Sequence, residues 1–166
     1  MSGHIWDARM RREALAYADA LHGLARYLTG GDSDADDLVQ ETYLRAFGAE
    51  GRFEAGTNLK AWLFRILRNI FVDGYRRNRS SPVDGEAAMP EPAGPAPDPP
   101  GAVSPSDIQA AMMALSDDGR TVILLDLEGL TEVEVSEVLG CPVGTVKSRL
   151  SRARAALRLR LRDYAP

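Results

Sequence analysis

The sequence predicts an all-α protein of two small helical domains joined by a flexible, proline- and alanine-rich linker, the second domain ending in a helix-turn-helix. Three observations predict it. Apolar residues recur at helical spacing on both sides of a central gap, and no stretch sustains the alternation of a strand. The gap itself, "SPVDGEAAMPEPAGPAPDPPGAVSP", has no periodicity, and it carries the acids Asp84, Glu86, Glu91 and Asp98 without a base. Such a segment cannot bury a core and reads as a semi-extended tether. The expected boundaries are 1–80, a linker over 81–104, and 105–166. At 166 residues, each domain has only a modest core that must pack efficiently.

In the first domain, Leu15, Ala18, Leu21, Leu24, Ala25 and Leu28 predict one helix from about Asp7 to Leu28, stopped by Gly30-Gly31. A second helix from about Asp34 has the stripe Ala35, Leu38, Val39, Thr42 and Ala46, leaving Asp36, Asp37, Gln40, Glu41 and Arg45 on the other side. The third begins near Thr57 or Asn58, either of which suits a cap, and its expected core face is Leu59, Trp62, Leu63, Ile66 and Ile70. In the second domain, helices are expected near 105–115 and 117–128. Thr131 and Glu134 form a capping-box pattern for a helix that turns Val135 and Val138 inward. Leu139-Gly140-Cys141 makes a turn, and Pro142 suits the first turn of the last helix.

That last helix concentrates positive charge. The stretch 139–162 holds Lys147, Arg149, Arg152, Arg154, Arg158, Arg160 and Arg162 and no acid, in a chain of net charge −4. Val146, Leu150, Ala153 and Leu157 fall on one face, which sets Lys147, Ser148, Ser151, Arg152 and Arg154 opposite and Arg149 on a flank. A short helix, a tight glycine turn and a helix with small polar and basic residues near its start describe a DNA-reading helix-turn-helix. A solvated basic face is the plainer alternative, but it requires neither the turn nor the caps. A protein binding DNA alone is usually basic overall, so the acidity of this chain points to delivery by a larger partner.

Other chemistries find little support. Cys141 is the single cysteine, and with only His4 and His22 beside it neither a disulfide nor a structural zinc site is expected. Cys141 reads as a small apolar filler at a turn, with no resolving thiol for redox work. "DSDADD" spaces its acids like a calcium loop, yet Asp37 stands where Gly is needed and Tyr43 where the bidentate Glu is needed. There is no Ser/His/Asp set and no phosphate-binding Gly loop, so neither an enzyme nor a cofactor is expected. The apolar runs are too short to span a bilayer, and the N-terminus is charged; no membrane insertion and a cytoplasmic location follow as expectations.

Three segments carry a resemblance. "DADDLVQETYLRAF" (34–47), "NLKAWLFRILRNIFVDGYRR" (58–77) and "DLEGLTEVEVSEVLGCPVGTVKSRLSRARAAL" (126–157) are similar, in order and spacing, to bacterial RNA polymerase sigma factors of the extracytoplasmic-function (ECF) group. The resemblance covers nearly everything except the linker and the extreme N-terminus. One departure is Glu132-Val133, where the family often has an aromatic followed by an acid.

The resemblance implies a non-catalytic factor that binds core RNA polymerase, directs it to promoter DNA and helps open it. It implies that the helix over 34–47 docks on the polymerase through Asp36, Asp37, Gln40, Glu41 and Arg45. It assigns minus-10 reading to the third helix and the loop before it, with Phe53 and Asn69 at pocket positions and Lys60, Arg65, Arg68, Arg76, Arg77 and Arg79 for the backbone. Base extrusion asks for an aromatic or apolar wall and an amide to read the base edge. Phe53, in "EGRFEAG", reads as an exposed aromatic or a loop anchor, and Trp62 as core. Lys147, Ser148, Ser151 and Arg152 are assigned the minus-35 element, with Thr145 and Arg149 near phosphates. A cognate anti-sigma factor is implied, the chain being monomeric when free or paired with it one to one. The rivals are an autonomous DNA-binding regulator, which would dimerise, and a sigma mimic, which would lack promoter contacts.

Overall fold

The computed structural model describes residues 8–54, 56–80 and 103–161, without the side chains of residues 50 and 75–80. The first apolar run folds as two helices, α1 (Ala8–Ala16) and α2 (Ala18–Thr29), where one was expected. The break lies at Tyr17. The Ala14 carbonyl accepts both from the Tyr17 N–H at 3.2 Å and from the Tyr43 hydroxyl at 2.7 Å, which tightens the chain out of the α pattern there. Ala14 is therefore buried, and Leu15, expected in the core, is 52% exposed. Gly30, at φ 81°, ends α2 in the left-handed conformation that glycine adopts without strain.

Helix α3 (Asp32–Gly48) buries Ala35, Leu38, Val39, Thr42 and Ala46, the stripe its periodicity predicts. Asp32 and Asp34 occupy its first turn, where the helix dipole favours acids. Arg26 pairs with Asp32 at 2.6 Å and His22 with Asp36 at 2.9 Å, holding this end against α2. After a 3-10 turn (Glu50–Arg52) comes α4 (Leu59–Ser80), capped by Asn58, whose Oδ1 accepts the Ala61 N–H at 3.2 Å. Leu59 and Leu63 are buried as expected, while Trp62, Ile66 and Ile70 are only half-buried. Phe64 and Leu67, outside the expected stripe, are completely enclosed. The reason is a second covering layer: the C-terminal helices pack on the other side of α4.

Those helices are α5 (Pro105–Met113), α6 (Asp117–Leu127), α7 (Glu132–Leu139) and α8 (Val143–Leu161). Each of the first three starts on a side-chain cap. Ser104 and Asp107 form a capping box, Ser116 accepts from the Gly119 N–H, and Thr131 and Glu134 make the box their spacing predicts. Buried Arg120 donates to the carbonyls of Met113 and Leu115 and pairs with Asp117, satisfying the end of α5. Gly140, at φ 64°, closes α7. Pro142 precedes α8 instead of entering its first turn, and its carbonyl accepts from Thr145 and Val146.

Helices α2, α3 and α4 form the first packing unit, and α5, α6 and α7 pack around or beside α8 in the second. The units meet where α7 lies on α4 and α6 on α2, so one apolar cluster runs through both. Residues 81–102, most of the expected linker, lie outside the described residues. No helix among the described residues is long and apolar enough to cross a membrane.

Candidate nucleic-acid interface

Helix α8 is positioned by its inner face. Val146, Leu150 and Ala153 are buried against α6 and α7, with Leu157 half-buried. The outer face then presents Lys147, Ser148, Ser151, Arg152 and Arg154 to solvent, as the spacing predicts. Two ion pairs fix its rotation on α6: Arg149 with Asp118 at 3.4 Å and Arg154 with Asp126 at 2.9 Å. Arg149 is thus half-buried and engaged, its guanidinium also 3.8 Å from the Cys141 Sγ, and Thr145 is half-buried beside it in sequence space at the helix start. Lys147 approaches Glu132 at 3.7 Å across the turn, an exposed pair that is readily exchanged. Lys147, Ser148, Ser151 and Arg152 form the accessible part of the expected DNA-reading set.

The expected minus-10 residues divide between two sides of α4. Trp62, Arg65 and Asn69 follow one another at steps of three and four and share a face, on which Arg65 and Asn69 are exposed. Phe53 adjoins this face but is not an exposed aromatic: it is 3% exposed, with its ring 5.3 Å from that of Trp62. The loop carries too few apolar residues to hide Phe53 locally, and Trp62 on α4 covers it instead. Lys60 lies nine residues before Asn69, about two and a half turns, and so on the opposite side of the helix. There its Nζ is 2.6 Å from the Glu128 carboxylate, 3.0 Å from the Glu128 carbonyl and 5.6 Å from the centre of the Tyr17 ring. Arg68 is half-buried on the flank facing α6. The side chains of Arg76, Arg77 and Arg79 lie outside the described residues.

On α3 the residues expected to meet the polymerase are surface-accessible, with Asp36, Asp37, Gln40 and Arg45 exposed and Glu41 half-buried. Glu41 accepts from Arg45 at 3.1 Å, and Asp36 is turned toward His22. Leu44 was not anticipated. It stands at the centre of the Asp37, Gln40, Glu41, Arg45 face and is 69% exposed, an apolar anchor amid polar groups. The signal was present in the sequence, since Leu44 falls off the buried stripe by helical spacing.

Burial and hydrogen bonding set the few displaced ionisations. Burial pushes the Tyr43 hydroxyl up to about 12, and that hydroxyl donates to Ala14. Glu134 is held below its ordinary value, first by the Thr131 backbone N–H and further by the amide of Asn58, while partial burial opposes the shift. Among the described residues no group of His, Cys, Asp and Glu is arranged to hold a metal ion.

Comparison with known proteins matches both units. Residues 14–81 fit the family Sigma-70 region 2, and residues 106–157 fit Sigma-70, region 4. The chain is 38% identical over 149 residues to the ECF RNA polymerase sigma factor EcfG of Rhodopseudomonas palustris, covering 89% of this chain and 82% of the relative. It is 34% identical to the ECF RNA polymerase sigma factor SigW of Bacillus subtilis, covering 89% and 86%. Among solved structures, the sigma factor RpoE in complex with the anti-sigma factor NepR, from Bartonella quintana, superposes with a TM-score of 0.78 at 34% identity, over 94% of this chain and 98% of that one. CnrH in complex with the cytosolic domain of CnrY gives a TM-score of 0.66 at 25% identity, over 96% and 92%. With a basic reading helix in the second unit, an amide-bearing face in the first, and relatives that align over most of both, the chain belongs to the extracytoplasmic-function sigma factors of bacterial RNA polymerase.

Proposed function

We propose that this sigma factor reads the minus-35 element with Lys147, Ser148, Ser151 and Arg152 and the minus-10 element with Arg65 and Asn69 beside the Phe53–Trp62 pair. It docks on core polymerase through Asp37, Gln40, Glu41, Leu44 and Arg45. The supporting observation is the division of α8 into a buried apolar face and an exposed face of Lys, Ser and Arg. Arginine and lysine recognise guanine edges bidentately or by charge, and serine reaches bases or phosphates. The work is done by binding energy in the cytoplasm, with no covalent step. Units spanning 1–80 and 105–166 divide the two readings, connected by the segment 81–104.

Regulation by an anti-sigma factor extends from the RpoE relative, which is described in complex with the anti-sigma factor NepR. In this chain, an open groove of about 320 Å³ between the units, lined by Leu28, Phe71 and Val72 with Arg68, Asp117 and Asp118 at its edges, suits an amphipathic segment of that partner. Run-off transcription with core polymerase on a library of upstream sequences tests the reading. Discrete transcripts that require this chain and fade with Arg152→Ala or Asn69→Ala support it. Their absence, with tight duplex binding by the chain alone, leaves an autonomous regulator.

A further inference from the structure

Glu132 belongs to the departure from the family pattern, and promoter reading leaves it without a role. It is the first residue of α7, directly after the Thr131 cap, and its carboxylate lies 3.7 Å from the Lys147 Nζ on α8. The stretch 139–162 contains no acid, so this carboxylate reaches the reading helix from another element. Lys147 belongs to the exposed face of α8, which places Glu132 on the DNA side of the helix-turn-helix. Asp118 and Asp126, which also pair with α8, come from α6 and hold Arg149 and Arg154. Those two pairs set the rotation of the helix. Glu132 instead holds a cation that the minus-35 element needs.

Exposure and distance distinguish this pair from the two behind it. The side chains of Lys147 and Glu132 are 64% and 46% exposed, whereas that of Arg149 is 28% exposed and Arg154 meets Asp126 at 2.9 Å. A solvated pair of this kind contributes little to stability and breaks readily. It does not hold the fold, but it sets what Lys147 gives up on reaching DNA. A free lysine that neutralises a phosphate releases a counterion condensed on the DNA, and that release drives binding at low salt. A lysine that already has a carboxylate beside it brings less net charge to the groove.

From this we infer that Glu132 is a built-in counterion for Lys147, which weakens the minus-35 contact evenly across sequences and makes it less dependent on ionic strength. The inference rests on the minus-35 reading proposed above. Lys147 leaves Glu132 for a base edge or a phosphate at every duplex it meets, so the pair opposes cognate and noncognate binding by the same amount. Discrimination stays with the base contacts of Lys147, Ser148, Ser151 and Arg152, and Glu132 lowers the affinity from which they start. The contact loses the salt dependence of one phosphate neutralised, about 0.9 in the slope of log K against log salt. Over a fourfold rise in salt, that is a difference of about three- to fourfold in affinity.

Holoenzyme assembled from the full-length chain and saturating core polymerase tests this on a fluorescein-labelled promoter duplex recovered by run-off transcription, and on the same duplex scrambled at its minus-35 element. Anisotropy titrations between roughly 50 and 200 mM potassium chloride give affinity and slope. Glu132→Gln keeps the Thr131 cap and the size of the side chain. It should bind both duplexes more tightly by a similar factor, with a slope steeper by about 0.9. Lys147→Ala should weaken binding, and adding Glu132→Gln to it should change neither affinity nor slope. An unchanged slope in Glu132→Gln overturns the counterion role. So does a slope change that persists without Lys147, because the carboxylate then acts on the phosphates directly. A gain confined to the cognate duplex overturns it as well, since the pair would then oppose base contact alone. Failure of the underlying reading appears separately: Lys147→Ala would bind both duplexes as tightly as the parent, removing Lys147 from the minus-35 set and this proposal with it.

Discussion

Phe53 takes its role from a ring on another element, and Glu134 takes its own chiefly from a residue three positions away. Phe53 is enclosed by Trp62 on α4, so Phe53→Ala removes a buried aromatic and should destabilise the chain by about 3–5 kcal/mol, measured by urea unfolding. A solvent-facing ring would leave the midpoint almost unmoved. Glu134 is more acidic in the folded chain than its ordinary 4.5, chiefly because the Thr131 N–H bonds to the carboxylate. The stability it contributes is fully present above that ordinary value and is lost as the pH falls through the lowered folded value. Thermal midpoints followed by circular dichroism should therefore fall less steeply below about pH 4.5 for Glu134→Gln than for the parent, from a lower starting point at neutral pH.

At the level of the helix, capping and one-sided burial decide which elements could be read in advance. The stripe of α3 was legible because only one side of that helix is covered, so hydrophobic periodicity and burial coincide. The α7 start was legible because Thr131 and Glu134 act within four residues of each other. By contrast, Phe64 and Leu67 escaped the pattern because α4 is covered by helices far along the chain. The α1–α2 break escaped it because the Tyr43 hydroxyl that shares the Ala14 carbonyl comes from α3. Within the site, the α8 faces followed from periodicity, as did the opposite placement of Lys60 and Asn69, whereas the pairing of Lys60 depends on where Glu128 lies. Thr131→Ala should destabilise the chain by about 1 kcal/mol through loss of the cap. Leu150→Ala, at the contact of α8 with its neighbours, should cost about 2–5 kcal/mol. Denaturant titration distinguishes the two by the size of the midpoint shift.

Across the whole molecule, the two family regions share one apolar cluster through the α4–α7 and α2–α6 contacts. A shared core couples their unfolding, so probes in either region should report coincident urea transitions in the parent. Loosening the contact at Lys60 with Glu128→Lys should separate those transitions, the region without α8 and the region containing it then melting at their own midpoints. Fluorescent labels on α2 and α8 would measure this. The acidic balance of the chain, net −4, acts on the same scale, since it opposes nonspecific adhesion to DNA while leaving the local charge of α8 intact.

The packing of Phe53 on Trp62 also gives the molecule an optical reporter. The chain has two tryptophans, and Trp6 can be replaced by phenylalanine to leave Trp62, beside the proposed minus-10 face, as the sole indole for selective excitation. A base leaving the DNA stack for that face would change what surrounds the indole, shifting its emission maximum or quenching it. Strand capture could then be followed in real time by intrinsic fluorescence, with no dye attached to either protein or DNA.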